Sequence, residues 1–485
     1  MSVINVTNTS GLIQALQSAH AGDTIELASG TYSSFTLSGI NIAGNVTITS
    51  QNSLNPAVLT GFYLSSSSGL TFSNLDFSVA QSVDAKPFRL LNSQNVTFTN
   101  LNISGAATDE ARTVTGLYIQ GSTNVAVTDS QFHSMMNGME EVTSNNVTIS
   151  GNSFHDLGSD GVDNSGSSNV TISGNVFTDF SQQPGTHPDA IQFFTSGTTT
   201  EAQNITVTDN LIYRGAGDVI QGVFIQDETG VLPYQNVTVT NNDVIGELYN
   251  GIAVRGANDV TISGNTVDAY SDMTSWIRVD NSTSVSLTNN TSASLQMTND
   301  SGVIQSGQTT LAYASDLGAS VISQWLASHA AGNLTGASQT LSPPNPVSVT
   351  SSVSIKMPST SLHLTLTGTG DIDAIANGMN GATITGNTGD NTITAGSSND
   401  TLTGGGGNDT FVMPMYCGSD TITDFGANGA HDVLDLSAHL AQHDPITITS
   451  SGANTVISFA SCGSITLLGV QPSQLTQTSI GYSIH

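Results

Sequence analysis

The sequence predicts an all-β fold: a long right-handed parallel β-helix with an N-terminal capping helix, followed by a short parallel β-roll. Three observations carry this. A segment of the type Asn-Val-Thr-Ile-Ser-Gly-Asn starts at Asn45 and recurs from Asn95, Asn124, Asn146, Asn169, Asn204, Asn236, Asp259 and Ser284. A second block of alternating apolar residues precedes each copy from Asn95 onward. Near the C-terminus, apolar residues return every nine positions, at Ile384, Ile393, Leu402 and Phe411. A chain of 485 residues outgrows one compact core, whereas a stacked repeat lengthens its core coil by coil.

Ser10 to His20 has helical apolar spacing with Ser10 as N-cap, and a helix there would cover the open edge of the first coil. From Asn95 most copies lie 22 to 29 residues apart, which suits coils of three short strands with Val and Ile inward and Thr and Ser outward. The preceding blocks begin at Lys86, Thr115, Asn137, Asp160, Asp189, Gln221, Asn250 and Ser275, six of them nine residues before their copy. The blocks at Asp189 and Gln221 sit fifteen residues before theirs, so two consecutive coils share a six-residue insertion at one corner. Insertions of that kind tend to mark a binding face.

Read in register, the third and fifth block positions face the core. The fourth then forms one outward column, Arg89, Tyr118, Glu140, Asp163, Gln192, Phe224, Ala253 and Arg278. The sixth forms another, Leu91, Gln120, Val142, Ser165, Phe194, Gln226, Arg255 and Asp280. Glu141 and Asn164 interrupt the apolar fifth column, which calls for a local shift or a buried hydrogen-bonded pair there. The β-helix is expected over 1–306, a helix and linker over 307–375, and the roll with a C-terminal secretion signal over 376–485. Within the middle stretch, Leu311 to His329 reads as helical and Ser342-Pro-Pro-Asn-Pro as linker.

Charge excludes some functions. Lys and Arg number seven against 37 acidic residues, a formal net charge of −30. Phosphate backbones need a basic surface, so nucleic acid is not a partner. No apolar run approaches the roughly 20 residues that span a bilayer, and no basic n-region with an apolar h-region opens the chain. Cys417 and Cys462 are either a disulfide pair or two unrelated small residues.

The best nine-residue units are AGSSNDTLT at 395–403 and GGGGNDTFV at 404–412, with a weaker copy containing Asp390 and Asn391. Gly-rich turns expose carbonyls and the acidic residues add carboxylates, a donor set for a hard cation. These units resemble the calcium-binding repeats of the RTX family. The resemblance implies Ca²⁺ as the bound ion, with Asp390, Asn391, Asp400 and Asp409 as candidate ligands. It also implies export by type I secretion machinery to the medium or cell surface of a bacterium.

Reactive groups are densest on the two interrupted coils and their neighbours. His187, Asp189, Gln192, Arg255 and Arg278 are the candidate catalytic residues, and Tyr118, Glu140, Asp163, Phe224, Gln226 and Trp276 the candidate substrate-binding ones. Arginines and amides can neutralise a uronate carboxylate and so acidify its C5 proton, which His187 or Arg255 would then remove. Asp227 and Glu228 read either as a cation site or as a solvent-facing turn, and Arg255 and Arg278 as possible partners of Asp280 and Glu247. The β-helix resembles the pectate-lyase-like superfamily of carbohydrate-active proteins over about 300 residues. Its combination with RTX repeats resembles secreted mannuronan C5-epimerases, with the order His187-Pro188-Asp189 in place of their Asp-Pro-His. The resemblance implies a lyase on an acidic polysaccharide. Epimerase and hydrolase activity, the latter with Asp163 and Asp189 as acid and base, or a non-catalytic adhesin or matrix role, are the alternatives.

Overall fold

A computed structural model describes residues 2–484 apart from 80–83, 106–111, 184, 216, 271–272, 312–317, 330–346, 358–360, 377–381, 397–398, 415–417, 428–429, 443 and 460–462. Cys417 and Cys462 therefore lie outside the described residues. The chain divides into two compact units, the first made of residues 1–214 and 218–342 and the second of 343–485 together with 215–217.

In the first unit three parallel sheets of 13, 11 and 12 strands run along a solenoid. The first sheet holds the Asn-Val-Thr-Ile segments, for example Thr123–Thr128 and Asn145–Ser150. The second holds the preceding blocks, such as Asp189–Phe194 and Gln221–Gln226. The third is made of short strands such as Phe132-containing Gln131–Met135 and Ser153–Leu157. The interior is mostly apolar, and Phe132, Phe154 and Phe177 stack coil on coil with centroids 4.7 Å apart.

The repeated Asn residues have two separate tasks. The first Asn of each copy sits in the left-handed region, with φ of 53° to 57° from Asn95 through Asn236, where Asn is tolerated far better than other non-glycine residues. Its exposed amide bonds along the stack, Asn124 Nδ2 to Asn95 Oδ1 at 2.9 Å and Asn204 Nδ2 to Asn169 Oδ1 at 2.7 Å. The last Asn of each copy turns inward. Asn152, Asn175, Asn210, Asn242, Asn265 and Asn290 form a buried ladder in which each amide donates to its neighbour's Oδ1 at 2.9–3.0 Å. Asn210 Nδ2 also reaches Ile172 O, and its Oδ1 accepts from the Asn175 backbone. Replacing Asn210 by Ala strands these buried donors and acceptors, so stability should fall by about 3 kcal/mol, read as a lower urea midpoint.

The capping helix spans Thr9–Ser18, and its N-cap is Asn8, whose side chain accepts from Gly11 N at 2.9 Å. This corrects the assignment to Ser10, which lies inside the first turn. A second helix, Ala319–Ser328, falls within the stretch read as helical. It lays Trp325 against Val176, Leu211, Tyr213, Ile245 and Tyr270 on the outer face of the third sheet.

The second unit is a roll of two sheets, of eight and seven strands. The period of nine alternates between them: Ile384 pairs with Leu402 in one, Ile393 with Phe411 in the other. All four are fully buried. The roll's sheets begin earlier than residue 376, with Val347–Ser351 and Ser361–Leu366 pairing in parallel and continuing into Thr383–Thr385.

Candidate functional site

Cross-strand pairing builds the outward strip of the second sheet. The fourth-position column runs Arg89, Tyr118, Glu140, Asp163, Gln192, Phe224, Ala253, Arg278 in unbroken register. The sixth-position column ends in Gln226, Arg255 and Asp280. Glu141 and Asn164 pair side by side and are fully buried, with the Asn164 amide donating to the Glu141 carboxylate. Burial pushes the Glu141 carboxyl up to about 7.

A third polar column lies at the strand starts, where the sequence blocks begin. Thr115, Asn137, Asp160, Asp189, Gln221 and Asn250 occupy successive coils there, and their side chains reach the neighbouring column. Thr115 Oγ1 donates to Glu140 at 2.9 Å and Asn137 Nδ2 to Asp163 at 3.2 Å. Asp160 Oδ1 accepts from the Asp189 backbone at 2.7 Å, while its Oδ2 accepts from Ser159 Oγ at 3.0 Å. The Asn250 amide donates to Gln221, and Trp276 Nε1 donates to Asn250 Oδ1 at 3.1 Å.

His187 stands over this column. Its Nδ1 lies 3.6 Å from Asp189 Oδ2, and Gln221 Nε2 lies 2.8 Å from its Nε2. The imidazole side chain is 61% exposed, the Asp189 side chain 0%. The loop that carries it is braced: Gln182 N donates to Asp218 Oδ2 at 2.7 Å, Thr186 Oγ1 to Gly158 O at 3.1 Å, and Gln221 N to Pro188 O at 2.9 Å.

The electrostatics follow from crowding carboxyls in a poorly hydrated strip. Burial and then the Asp189 carboxylate push Asp160 up to about 7. Burial, with Asp160, Glu140 and Asp189 adding to it, raises Asp163 well above the carboxylate range. Burial also raises Asp189, partly offset by His187, and the Asp189 carboxylate in turn raises the His187 imidazole. Lys86 closes the acidic end, paired with Glu140 and 4.0 Å over the Tyr118 ring.

The arginines are elsewhere. Arg255 Nε and Arg278 Nε both bond Asp280 Oδ2, at 3.0 and 2.7 Å, which settles their carboxylate partner as Asp280. Asn250, beside Gln221, is five residues from Arg255 along one strand, roughly 16 Å. The structure thus brings His187, Asp189, Asp163 and Glu140 together and leaves Arg255 and Arg278 apart from them. The six-residue insertions lie at that far corner too. Asp227 is the anchor of the second one, accepting from Thr195, Thr229, Gly230 and Leu232; its carboxylate shapes the turn.

In the roll, carboxylates accept backbone N–H groups from their own turn and from neighbouring coils. Asp400 takes Ala382 and Gly396, Asp409 takes Asn391, Asp420 takes Asp400, Asp432 takes Asp409, and Asp390 takes Asn408. Asn391 is a turn brace, its amide bonded to Asn387 and Ile372 O. The sequence reading missed Asp420, Asp424 and Asp432, whose spacing departs from the nine-residue unit. Burial and then Asp432, Asp424 and Asp390 push Asp409 up to about 7, and burial does the same to Asp420, whose Oδ2 is buried without a partner. Glycines make the close turns possible: a Cβ at Gly404 would meet Asp409 Oδ2 at 2.2 Å, and at Gly405 would meet Asn387 O at 2.2 Å. The orphaned Asp420 oxygen and the carbonyls of the turns are the hard donors Ca²⁺ takes, while among the described residues no three His, Cys, Asp or Glu side chains gather into a metal site.

Residues 88–267 match the family described as right handed beta helix region, and 377–411 match four copies of the RTX calcium-binding nonapeptide repeat. The chain is a right-handed parallel β-helix joined to an RTX module. No curated protein matches the sequence. Among solved structures it is similar to an alginate lyase from Paenibacillus sp., at 19% identity over 64% of this chain and 99% of that one, TM-score 0.40. It is similar to the pectate lyase Pel9A at 14% over 66% and 80%, TM-score 0.39. It is also similar to the A-module of the Azotobacter vinelandii mannuronan C-5 epimerase AlgE6, at 15% over 62% and 94%, TM-score 0.37.

Proposed function

We propose that the β-helix is a polysaccharide-active enzyme that cleaves an acidic, uronate-containing glycan by β-elimination at His187. The observation that carries this is an exposed imidazole backed by a buried carboxylate, standing over a strip of amides and proton-holding carboxyls. Gln221 Nε2 lies 2.8 Å from His187 Nε2 and 3.2 Å from Nδ1; with Nδ1 towards Asp189, Nε2 takes the C5 proton once substrate displaces the Gln221 amide from it. Gln192 and protonated Asp163 would hydrogen-bond the substrate carboxylate, acidifying that proton. The C5–H electrons then form the C4–C5 double bond as the C4–O4 bond breaks, and the departing oxygen takes a proton from Asp160.

The acidic strip accommodates a polyanion because its charge is largely cancelled. Lys86 offsets Glu140, and Asp160 and Asp163 hold protons below their raised pKa values. A bell-shaped pH profile of kcat/KM is the expected result. Activity rises as His187 loses its proton, above the ordinary imidazole value, and falls as the Asp160–Asp163 pair ionises from about 7 upward. Asp163→Asn, neutral at every pH, should shift the falling limb.

The deciding assay incubates the protein with uronate polymers and follows the ultraviolet absorbance of the unsaturated product. The raised pair Asp160 and Asp163 also suits a general acid with a carboxylate base, so new reducing ends without that absorbance would make the enzyme a hydrolase. Neither product from any acidic or neutral glycan, with C5 configuration unchanged by proton NMR, would remove the enzymatic reading. The RTX module supports Ca²⁺-dependent folding and export by type I secretion to the medium or cell surface.

A further inference from the structure

We infer that the platform formed by Arg255 and Arg278 is a separate subsite for an anionic sugar residue, along the solenoid from His187. This rests on the reading of the β-helix as a glycan-active enzyme, and it assigns the two arginines to holding the polymer.

Charge accounting singles the platform out. Among the described residues, Lys86 pairs with Glu140, Arg89 with Asp84 and Arg112 with Asp156, one carboxylate each. Arg214 is buried and bonded to Gly246 O. Arg255 and Arg278 alone share a single carboxylate, Asp280, whose side chain is 3% exposed. Two guanidinium groups on one carboxylate leave that trio one positive charge, with Asp300 near enough to Asp280 to feel its charge, on a chain whose formal net charge is −30. The two side chains are 35% and 33% exposed, so the charge faces solvent.

The arginines are also held in place. Their Nε atoms converge on the same Asp280 Oδ2, and Arg255 Nη1 donates to Gln226 Oε1 at 3.0 Å. Fixed stems with outward guanidinium ends lose little entropy on binding an anion, and their planar forks match a carboxylate or sulfate. Phe224 and Arg278 flank Ala253 in the outward column, and Ala253 is fully covered. At the strand start, the Trp276 and Tyr249 rings lie 5.5 Å apart. Aromatic faces beside guanidinium groups recognise a sugar ring and its acidic substituent together. The coil of Arg255 lies two rungs beyond that of Asp189, about 10 Å, so a glycan touching both must extend along the strip. The shared chemistry is an anionic group on a sugar ring, a carboxylate or a sulfate ester.

The test measures binding to the His187→Ala protein, whose turnover is expected to be slow, by calorimetry. Oligouronates, sulfated oligosaccharides and neutral oligosaccharides of equal length are compared. Binding of one anionic series is expected, weakened by salt, with Arg278→Gln and Arg255→Gln each raising Kd at least tenfold and lowering the salt dependence. Each single variant leaves Asp280 the other arginine, so the fold is retained; Arg278→Lys keeps the charge as a second check and should recover part of the affinity. Unchanged Kd in both Gln variants, or equal binding of the neutral series, overturns the subsite. If the arginine-dependent binding holds while the wild type makes no product, the enzymatic reading fails and the subsite stands. If elimination holds while the arginine variants bind normally, the reverse is true.

Discussion

Replacing His187 by alanine is expected to lower kcat/KM for β-elimination by about 10²- to 10⁴-fold, the range for losing a general base. The imidazole is exposed on a braced loop, so its removal deletes few packing contacts and thermal stability should be nearly unchanged. Asp189→Asn should fall less far. It keeps the shape and removes the charge that raises the imidazole pKa, so the rising limb of the pH profile should move to lower pH. Steady-state rates across pH with a defined uronate polymer test both. Wild-type activity in His187→Ala would exclude the residue from proton transfer.

The second large effect concerns the RTX module. Stripping Ca²⁺ should unfold the roll, and restoring it at a hundredfold excess over its Kd should raise the melting temperature on the order of 10 °C. The size should depend on pH in a defined sense. Asp409 and Asp420 are raised from 3.8 to about 7, so the folded roll binds more protons than the unfolded chain between those values. Without cation, stability is fullest at low pH and falls as pH rises through that window. A divalent cation beside the ionised carboxylates offsets the loss, so its stabilising effect should be larger at pH 8 than at pH 5. Differential scanning calorimetry with and without chelator at both values measures this. Equal melting curves at pH 8 would show that the carboxylates do not hold the ion.

The two structural readings differ in how far they depended on local pattern. Asn95 and Asn124 announced a stacked turn because a left-handed corner tolerates few other residues, and the period of nine at Ile384 to Phe411 could only be satisfied by alternating faces. The same local logic placed Asp163 and Gln192 on one outward column. It placed Asp160 and its counterparts from Thr115 to Asn250 at the strand starts, without showing that their side chains form one polar seam. Those side chains are chemically varied, so no periodic pattern marks them, and only stacking sets each beside the carboxylates of the next coil. Asp420, Asp424 and Asp432 were hidden for the same reason: they sit outside the regular unit yet fold against it.

The six-residue insertions lie on the coils of Asp189 and Gln221, at the corner opposite His187. Spacing reports which coil is long. It does not report that Asp227 closes its loop on itself while the opposite loop carries His187 over Asp189. What the sequence by itself determined was the solenoid, its inward and outward faces and the nine-residue roll, because strand alternation and turn chemistry act between near neighbours in the chain. The tertiary structure decided which charges meet. It set Arg255 and Arg278 on Asp280 and gathered Asp160, Asp163 and Asp189 beneath His187, because those contacts cross coils tens of residues apart, and burial there changes which groups hold their protons.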